Sequence, residues 1–390
     1  MRIILQLIGT EIIMKTIKKL FCALLCAALV VGTFAGCHKK GEIGVTVTDS
    51  KLSEKTGKVE FTSAYYMCAL IMSYNSGKSE INQKYQDEKK STTDIDYFKE
   101  KIDKKKFNDW VIDNTEKSLK KIAAFKIKCA ENKLTVKDED KSSAEQYAEA
   151  YWTNTNYNYS EYFEPNGVSL DTYKAYMVDA YYAQRYFDFI YKGDGEKAIS
   201  DETILKTMQS DYMLCDVLDI SFDNLEDSEK ESKKTFANDA AAQINAGKKS
   251  YAQVYAEYNS SDTVTEDNTT DSSKPIDSLA SVIGTKDTSY NTYSDYFEQL
   301  SSLAAGTATV IEKADNAGVI LFVKKDITAD PYYKTNLDDE IRNFIAGDEF
   351  TKEIEAYAKT LKYDIKGSVK RRFKPKKIQE PKTSTSTSSY

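Results

Sequence analysis

Histidine is almost missing from this chain: its 390 residues hold one, His38. Without a histidine in the body of the protein there is no Ser-His-Asp triad and no Cys-His pair. Walker and Rossmann glycine patterns are also absent, which excludes the commonest nucleotide-binding loops. Only five prolines interrupt the chain, so most of it is free to be helical. Of six cysteines, Cys22, Cys26 and Cys37 lie near the N-terminus. The other three, Cys68, Cys129 and Cys215, are odd in number and too widely spaced for a disulfide framework or a zinc site, and read as small buried thiols. Positive charge is short as well. Removal of residues 1–36 takes away Arg2, Lys15, Lys18, Lys19 and Glu11, leaving 50 basic against 60 acidic residues, a formal −10. Such a surface repels nucleic acid, so no nucleic-acid partner is expected.

The longest apolar run is Leu20 to Val31, too short for a comfortable membrane span. It follows a basic stretch with Lys15, Lys18 and Lys19, and Met14 opens a complete secretory signal, so residues 1–13 read as an upstream start. Phe34-Ala35-Gly36-Cys37 then resembles a bacterial lipobox, with Phe34 where leucine is usual. The resemblance implies a lipid on Cys37 and an extracytoplasmic protein held to the cell membrane. His38 to about Leu52 reads as a polar tether.

Tyrosine is the residue in excess, with 28 copies. Its apolar body and polar tip suit wet grooves as well as cores. Beyond the tether, Gly57 to Tyr74 leads through a strand-like stretch into an apolar helix, and Lys78 to Asp94 is polar, a loop or solvated helical end. A helix over Phe107 to Asn132 puts Ile112, Leu119, Ile122 and Ala123 on one face, with lysines opposite. Thr135 and Asp138 form a helix-start signature for a helix from Lys137 to about Asn154, which carries Tyr147, Ala148 and Tyr151. Asn154 to Pro165 reads as a loop. Ser169 caps a helix with the stripe Tyr173, Tyr176, Met177, Ala180, Phe187 and Ile190, which Gly193-Asp194-Gly195 ends. Ser200 starts another short helix.

Then the pattern changes. In Asp211 to Phe222, Leu214, Asp216, Leu218 and Ile220 alternate with Cys215, Val217 and Asp219, the period of a strand. A capping box at Ser228 and Glu231 starts a helix that stops at Gly247, and Ser250 with Gln253 caps a second, through Tyr258. Asn259 to Lys274 is a polar loop. Tyr293 to Leu303 is helical, with Phe297 and Leu300 inward. Strands at Thr309 to Glu312 and Gly318 to Lys325 are joined by a turn rich in Asp, Asn and Gly. The stretch from 206 to 326 therefore reads β-α-α-loop-α-β-β, and a helix from about Leu337 to Leu361 returns to the earlier style. Beyond Gly367 comes a basic, then low-complexity tail that need not fold.

This order, with GVSLDTYKAYMVDAYYAQRYFDFIY before SDETILKTMQSDYMLCDVLDISF and with FEQLSSLAAGTATVIE before ADNAGVILFVKK, resembles the SurA/PrsA-type extracytoplasmic foldases over roughly Gly57 to Leu361. The resemblance implies an α+β, mostly helical protein: a discontinuous helical chaperone domain with an inserted parvulin-like (PpiC-type) prolyl isomerase domain. Its divisions would be signal peptide 1–36, lipidated Cys37 and tether 37–56, helical domain 57–205, parvulin-like domain 206–326, completing helix 327–366 and tail 367–390. It also implies two catalytic histidines, and the chain departs from both. Asp216 stands in the opening strand and Ile320 in the closing strand where the family usually has histidine.

Rotation about an X-Pro bond needs no proton transfer, only a desolvated pocket that favours the twisted amide. An aliphatic Ile320 cannot shape the polar floor of that pocket, and a charged Asp216 would oppose the substrate carbonyl. Weak or absent isomerase activity is therefore expected, with Leu218, Phe297, Leu300 and Phe322 as peptide-binding candidates. No cofactor is expected. The carboxylate runs at Asp138 (DEDK) and Asp223 (DNLED) read as solvated faces, so no metal is expected either. Three functions stay open: a chaperone for unfolded or newly secreted polypeptides, a divergent active prolyl isomerase, and a surface solute-binding or adhesion lipoprotein.

Overall fold

The structure, a computed structural model, describes residues 41–154, 159–259 and 279–381. The expected signal, Cys37 and most of the polar loop after Asn259 lie outside the described residues. The chain is α+β and mostly helical, with small antiparallel sheets. Among the described residues it divides into two compact units, 41–198 with 349–381, and 199–348.

The discontinuous unit opens with antiparallel strands β1 (Ile43–Thr48) and β2 (Lys58–Thr62), joined through a one-turn helix, α1 (Glu54–Gly57). Val45 faces Phe61 and Val47 faces Val59, so all four bury on one side. Helix α2 (Ser63–Asp87) starts where the Thr62 hydroxyl accepts from the Tyr65 amide, at 3.2 Å. Residues 65–74 are all buried, as expected of a helix apolar all round. The polar stretch from Lys78 does not break it; the helix runs on to Asp87 with its polar side chains in solvent.

A tight hairpin, β3 (Lys101–Ile102) and β4 (Lys105–Lys106), turns on Asp103 and Lys104, both at positive φ. It feeds α3 (Phe107–Glu131). Leu119, Ile122 and Ala123 of this helix are buried, but Ile112 is exposed. Lys121 and Lys126, expected on the solvent side, are buried instead, because packing covers more of α3 than one stripe. Helix α4 (Asp138–Thr153) begins at Lys137 with no side-chain cap, so Thr135 does not serve as one; Ala148 is buried and Tyr147 exposed.

A short helix, α5 (Tyr159–Phe163), occupies part of the expected loop. Ser169 caps α6 (Leu170–Asp179), and Ala180 separates it from α7 (Tyr181–Tyr191). Of their stripe, Tyr173, Tyr176 and Phe187 are buried and Met177, Ala180 and Ile190 are half-buried. An aromatic cluster joins α4 to α6: Phe163 lies 5.9 Å from Trp152 and 5.1 Å from Tyr173.

The inserted unit begins with α8 (Asp201–Asp211), capped by Ser200, and continues into β5 (Tyr212–Ser221). Next come α9 (Asp227–Asn245) and α10 (Tyr251–Asn259). The capping box of α9 is Glu226 with Glu229, two residues before the expected Ser228 and Glu231. Gly247, at φ 66°, ends that helix in the left-handed conformation glycine tolerates. Ser250 and Gln253 cap α10 reciprocally.

An unexpected strand, β6 (Ala280–Gly284), pairs with β5. Then follow a 3₁₀ turn with α11 (Phe297–Ser301), β7 (Ala308–Glu312) and β8 (Gly318–Lys325). The four strands form one antiparallel sheet in the order β6-β5-β8-β7. Helix α12 (Pro331–Asn336) and the first half of α13 (Asp338–Thr360) belong to this unit, which is wider than 206–326. The reason is a core in which Ile204 and Met208 pack with Tyr212, Leu214, Ile327, Tyr333, Leu337 and Ile341.

The second half of α13 belongs to the discontinuous unit, where Phe350 stacks on Phe125 at 5.6 Å and meets Phe187 edge-on at 5.1 Å. Strand β9 (Lys362–Ile365) then pairs with β1, giving the order β2-β1-β9. The tail also folds further than expected. Helix α14 (Gly367–Arg372) buries Val369, a 3₁₀ turn buries Pro375, and Glu380 accepts from Tyr74 at 2.5 Å and pairs with Lys78 at 2.9 Å. Those apolar pins precede the Ser/Thr run, which starts after residue 382.

Candidate functional site

The sheet of the inserted unit has two apolar faces, and side-chain alternation sorts the expected site residues between them. On one face Leu218 and Ile220 of β5, with Val319, Leu321 and Val323 of β8, pack under α9 and α10. On the other, Met213 and Cys215 pack with Ile320, Phe322 and Leu300, and half-buried Val217, Tyr293, Tyr296 and Phe297 cover them. The register is explicit. Asp216 is opposite Val323, Val217 opposite Phe322, and Asp219 opposite Ile320. Cross-strand partners share a face, so Asp216 and Ile320 emerge on opposite sides of the sheet. Leu218 is likewise separated from Phe297, Leu300 and Phe322, which the fold brings together with Ile320.

Asp216 is fully buried and paired with Lys325 Nζ at 3.2 Å. The lysine keeps 31% of its side chain exposed, so its head reaches solvent while its stem lies along the strand. Burial pushes the Tyr251 hydroxyl of α10 and the Tyr333 hydroxyl of α12 well above the usual tyrosine range, reinforced by the Asp216 charge at Tyr251 and by Asp330 ahead of Asp216 at Tyr333.

Beside the second face lies a cleft of about 220 Å³. Met213, Phe297, Leu303 and Ala305 supply its apolar lining; Gln209, Ser210, Lys324, Asp326 and Thr328 supply polar groups. Its walls are held in place. Lys324 Nζ donates to the Ser301 carbonyl at 2.7 Å, and the Gly306 amide donates to the Lys324 carbonyl at 2.7 Å. The Asp326 carboxylate accepts from the Thr328 hydroxyl and amide, and those bonds lower its pKa. Phe322 underlies this region fully buried, with Tyr293 edge-on at 5.6 Å and Tyr296 at 5.8 Å.

Of the expected peptide-binding residues, only Phe297 lines this cleft. Leu300 and Phe322 are buried in the face behind it, and Leu218 is on the far side. Met213, Leu303 and Lys324 were missed. Met213 was legible as a member of the odd-numbered set of the strand; Leu303 and Lys324 needed the turn that folds α11 over the sheet end. The one thiol here, Cys215, is fully buried, and burial pushes its pKa up to about 12 although Lys324 pulls the other way. It stays protonated and is no nucleophile. The arrangement can bind an apolar side chain and fix a polar backbone beside it. Among the described residues no group of three or more His, Cys, Asp or Glu is gathered as a metal site, and no helix is long and apolar enough to cross a membrane.

Comparison of the chain with protein-family models, with curated proteins and with solved structures gave no match.

Proposed function

We propose that the protein is a lipid-anchored extracytoplasmic foldase of the SurA/PrsA type, which binds unfolded secreted chains and whose inserted unit is a parvulin-like domain with little isomerase activity. The observation that carries this reading is the insertion itself. A four-stranded antiparallel α+β unit, with its opening and closing strands β5 and β8 paired at the centre, interrupts a helical unit that closes again through β9. The cleft beside Phe297 supports peptide binding, being apolar with fixed polar groups at its edge. Weak catalysis follows from the same geometry. Asp216 is buried on the other face and paired with Lys325, which also borders the cleft, and the residues that line the cleft hold no imidazole.

An active isomerase is the second reading. It is favoured by the aromatic floor, since stabilising a twisted amide needs an apolar, desolvated pocket rather than an acid or base. X-Pro cis/trans exchange in a short peptide, measured by NMR with the chain from residue 37 added at stoichiometric amounts, separates the two. Unchanged exchange together with suppressed aggregation of a refolding client is the expected result. Enhanced exchange would establish the second reading, and neither effect would remove both.

A further inference from the structure

The acidic net charge of the chain conceals one strongly basic surface. Seven of the twelve residues from 366 to 377 are Lys or Arg and none is acidic. Their backbone is a strap fixed to the discontinuous unit. Val369 and Pro375 are buried, the Gln379 amide and carbonyl bond the Asn166 side chain at 2.9 and 2.8 Å, and Glu380 is tied to Tyr74 and Lys78. With the apolar residues used as pins, the cations face outward and all seven are exposed. Lys370, Arg371, Arg372, Lys374 and Lys377 form no ion pair among the described residues. Arg372, Lys374 and Lys377 rim a cleft of about 320 Å³ floored by Met67 and Phe373; Glu164 is the carboxylate on its border.

The strap begins where the N-terminal end of the described chain enters the fold. The Lys366 amide donates to the Gly44 carbonyl at 2.9 Å and its Nζ lies 3.5 Å from Glu42. Cys37 precedes Gly41 by four residues, a reach of at most about 14 Å.

We infer that this basic strap is a second membrane contact, which holds the phosphate headgroups of an anionic phospholipid surface. The inference rests on the lipid-anchor reading for its orientation. A basic patch beside a lipid anchor adds electrostatic attraction to anionic headgroups and fixes which face of the protein meets the membrane. Each cation near an anionic surface strengthens binding by about fivefold, so five unpaired ones form a substantial contact.

The test uses the chain from residue 37 with Cys37→Ser, so that no acyl chain contributes. It should sediment with phosphatidylglycerol–phosphatidylcholine vesicles and stay in solution with phosphatidylcholine alone, and salt should weaken the binding. The exposed substitutions Lys370→Gln, Arg372→Gln, Lys374→Gln and Lys377→Gln together should lower partitioning by more than about tenfold with an unchanged circular dichroism spectrum. Equal binding to neutral vesicles, or no loss in the quadruple variant, would overturn the inference. So would full displacement by glycerol phosphate at a matched phosphate concentration, which would mark the cleft as a site for free phosphate. Acylation is read separately, from the mass of the Cys37 peptide in protein from cell membranes. A missing lipid there, with vesicle binding intact, would sink the anchor reading and leave the strap as a lone membrane contact.

Discussion

Each unit of the protein buries a carboxylate completely, Asp216 in the inserted unit and Asp179 in the discontinuous one, and the two are compensated in different ways. The partner of Asp216 is Lys325, two strand positions from the residue directly across from Asp216, with its head partly in water. The partner of Asp179 is Lys126 at 3.5 Å, itself 8% exposed, under the Tyr182 ring at 5.2 Å. Burial raises the pKa of Asp179 well above the usual carboxylate range, against the pull of Lys126 and a hydrogen bond from Tyr65. Burial also lowers Lys126 to about 7, although Asp179 opposes the shift. Both groups are thus pushed toward their neutral forms. The end of a strand can let a lysine reach solvent; a helix enclosed by neighbours cannot, so the pair has to be buried whole and its desolvation cost is not recovered from water.

Removal of one member of the enclosed pair should have the largest effect. Asp179→Ala should destabilise the discontinuous unit by about 3–5 kcal/mol, because Lys126 is left uncompensated, while Lys126→Met with Asp179→Leu should be near neutral. Urea unfolding of the two variants checks this, and a mild effect of Asp179→Ala would mean the pair is not enclosed in solution.

The pH dependence comes next. The lysine is lowered, so above about pH 7 Lys126 itself holds fewer protons in the native state than in the unfolded chain, and its own contribution to stability rises with pH toward the ordinary lysine value. The acid is raised, so its stabilising effect is present below the unfolded carboxylate value and is lost as pH rises through its folded one. The two contributions cancel wherever Lys126 has lost its proton and Asp179 still holds one, so relative to the double variant the native chain should gain stability with pH only once Asp179 is ionised as well, by at most about 1.4 kcal/mol per pH unit. A difference that falls between pH 7 and 9 would rule out the lowered lysine, because only the raised acid would then be acting.

In the inserted unit, the two sheet faces separate packing from binding. Leu218→Ala should cost about 2–4 kcal/mol of stability and leave peptide affinity unchanged. Phe297→Ala, in the cleft, should weaken peptide binding about tenfold, the scale of one apolar anchor. Calorimetric titration of both variants checks the pair, and equal losses of affinity would mean that the faces are not independent. The smallest effect tests the helix start: Glu226→Ala should cost about 0.5–1 kcal/mol and Ser228→Ala less than about 0.5, reversing the order the sequence motif implies.

Periodicity and capping were readable from the residues alone. The alternation in Asp211–Phe222, the Ser169, Ser200 and Ser250 caps and the long helix of Phe107–Glu131 are local, and local residues decide them. The strand Ala280–Gly284 was not readable, because it follows a polar stretch and owes its state to pairing with β5. The site was less legible than the fold. Asp216, Ile320, Leu218 and Phe297 look like neighbours of one pocket in a sequence pattern. Cross-strand register is a long-range quantity, and here it sends Asp216 and Leu218 one way and Ile320 the other.

Composition and short-range period already carry a tyrosine-rich, mostly helical chain with almost no histidine, a strand-bearing middle and a basic stretch near its end. The burial of Lys126 with Asp179, the closing of the first sheet by β9, and the strap of residues 367–381 with its cations outward arise from long-range packing. Those outcomes depend on which distant surfaces cover which side chains, and burial, unlike helical or strand period, is not a property of any stretch of chain taken alone.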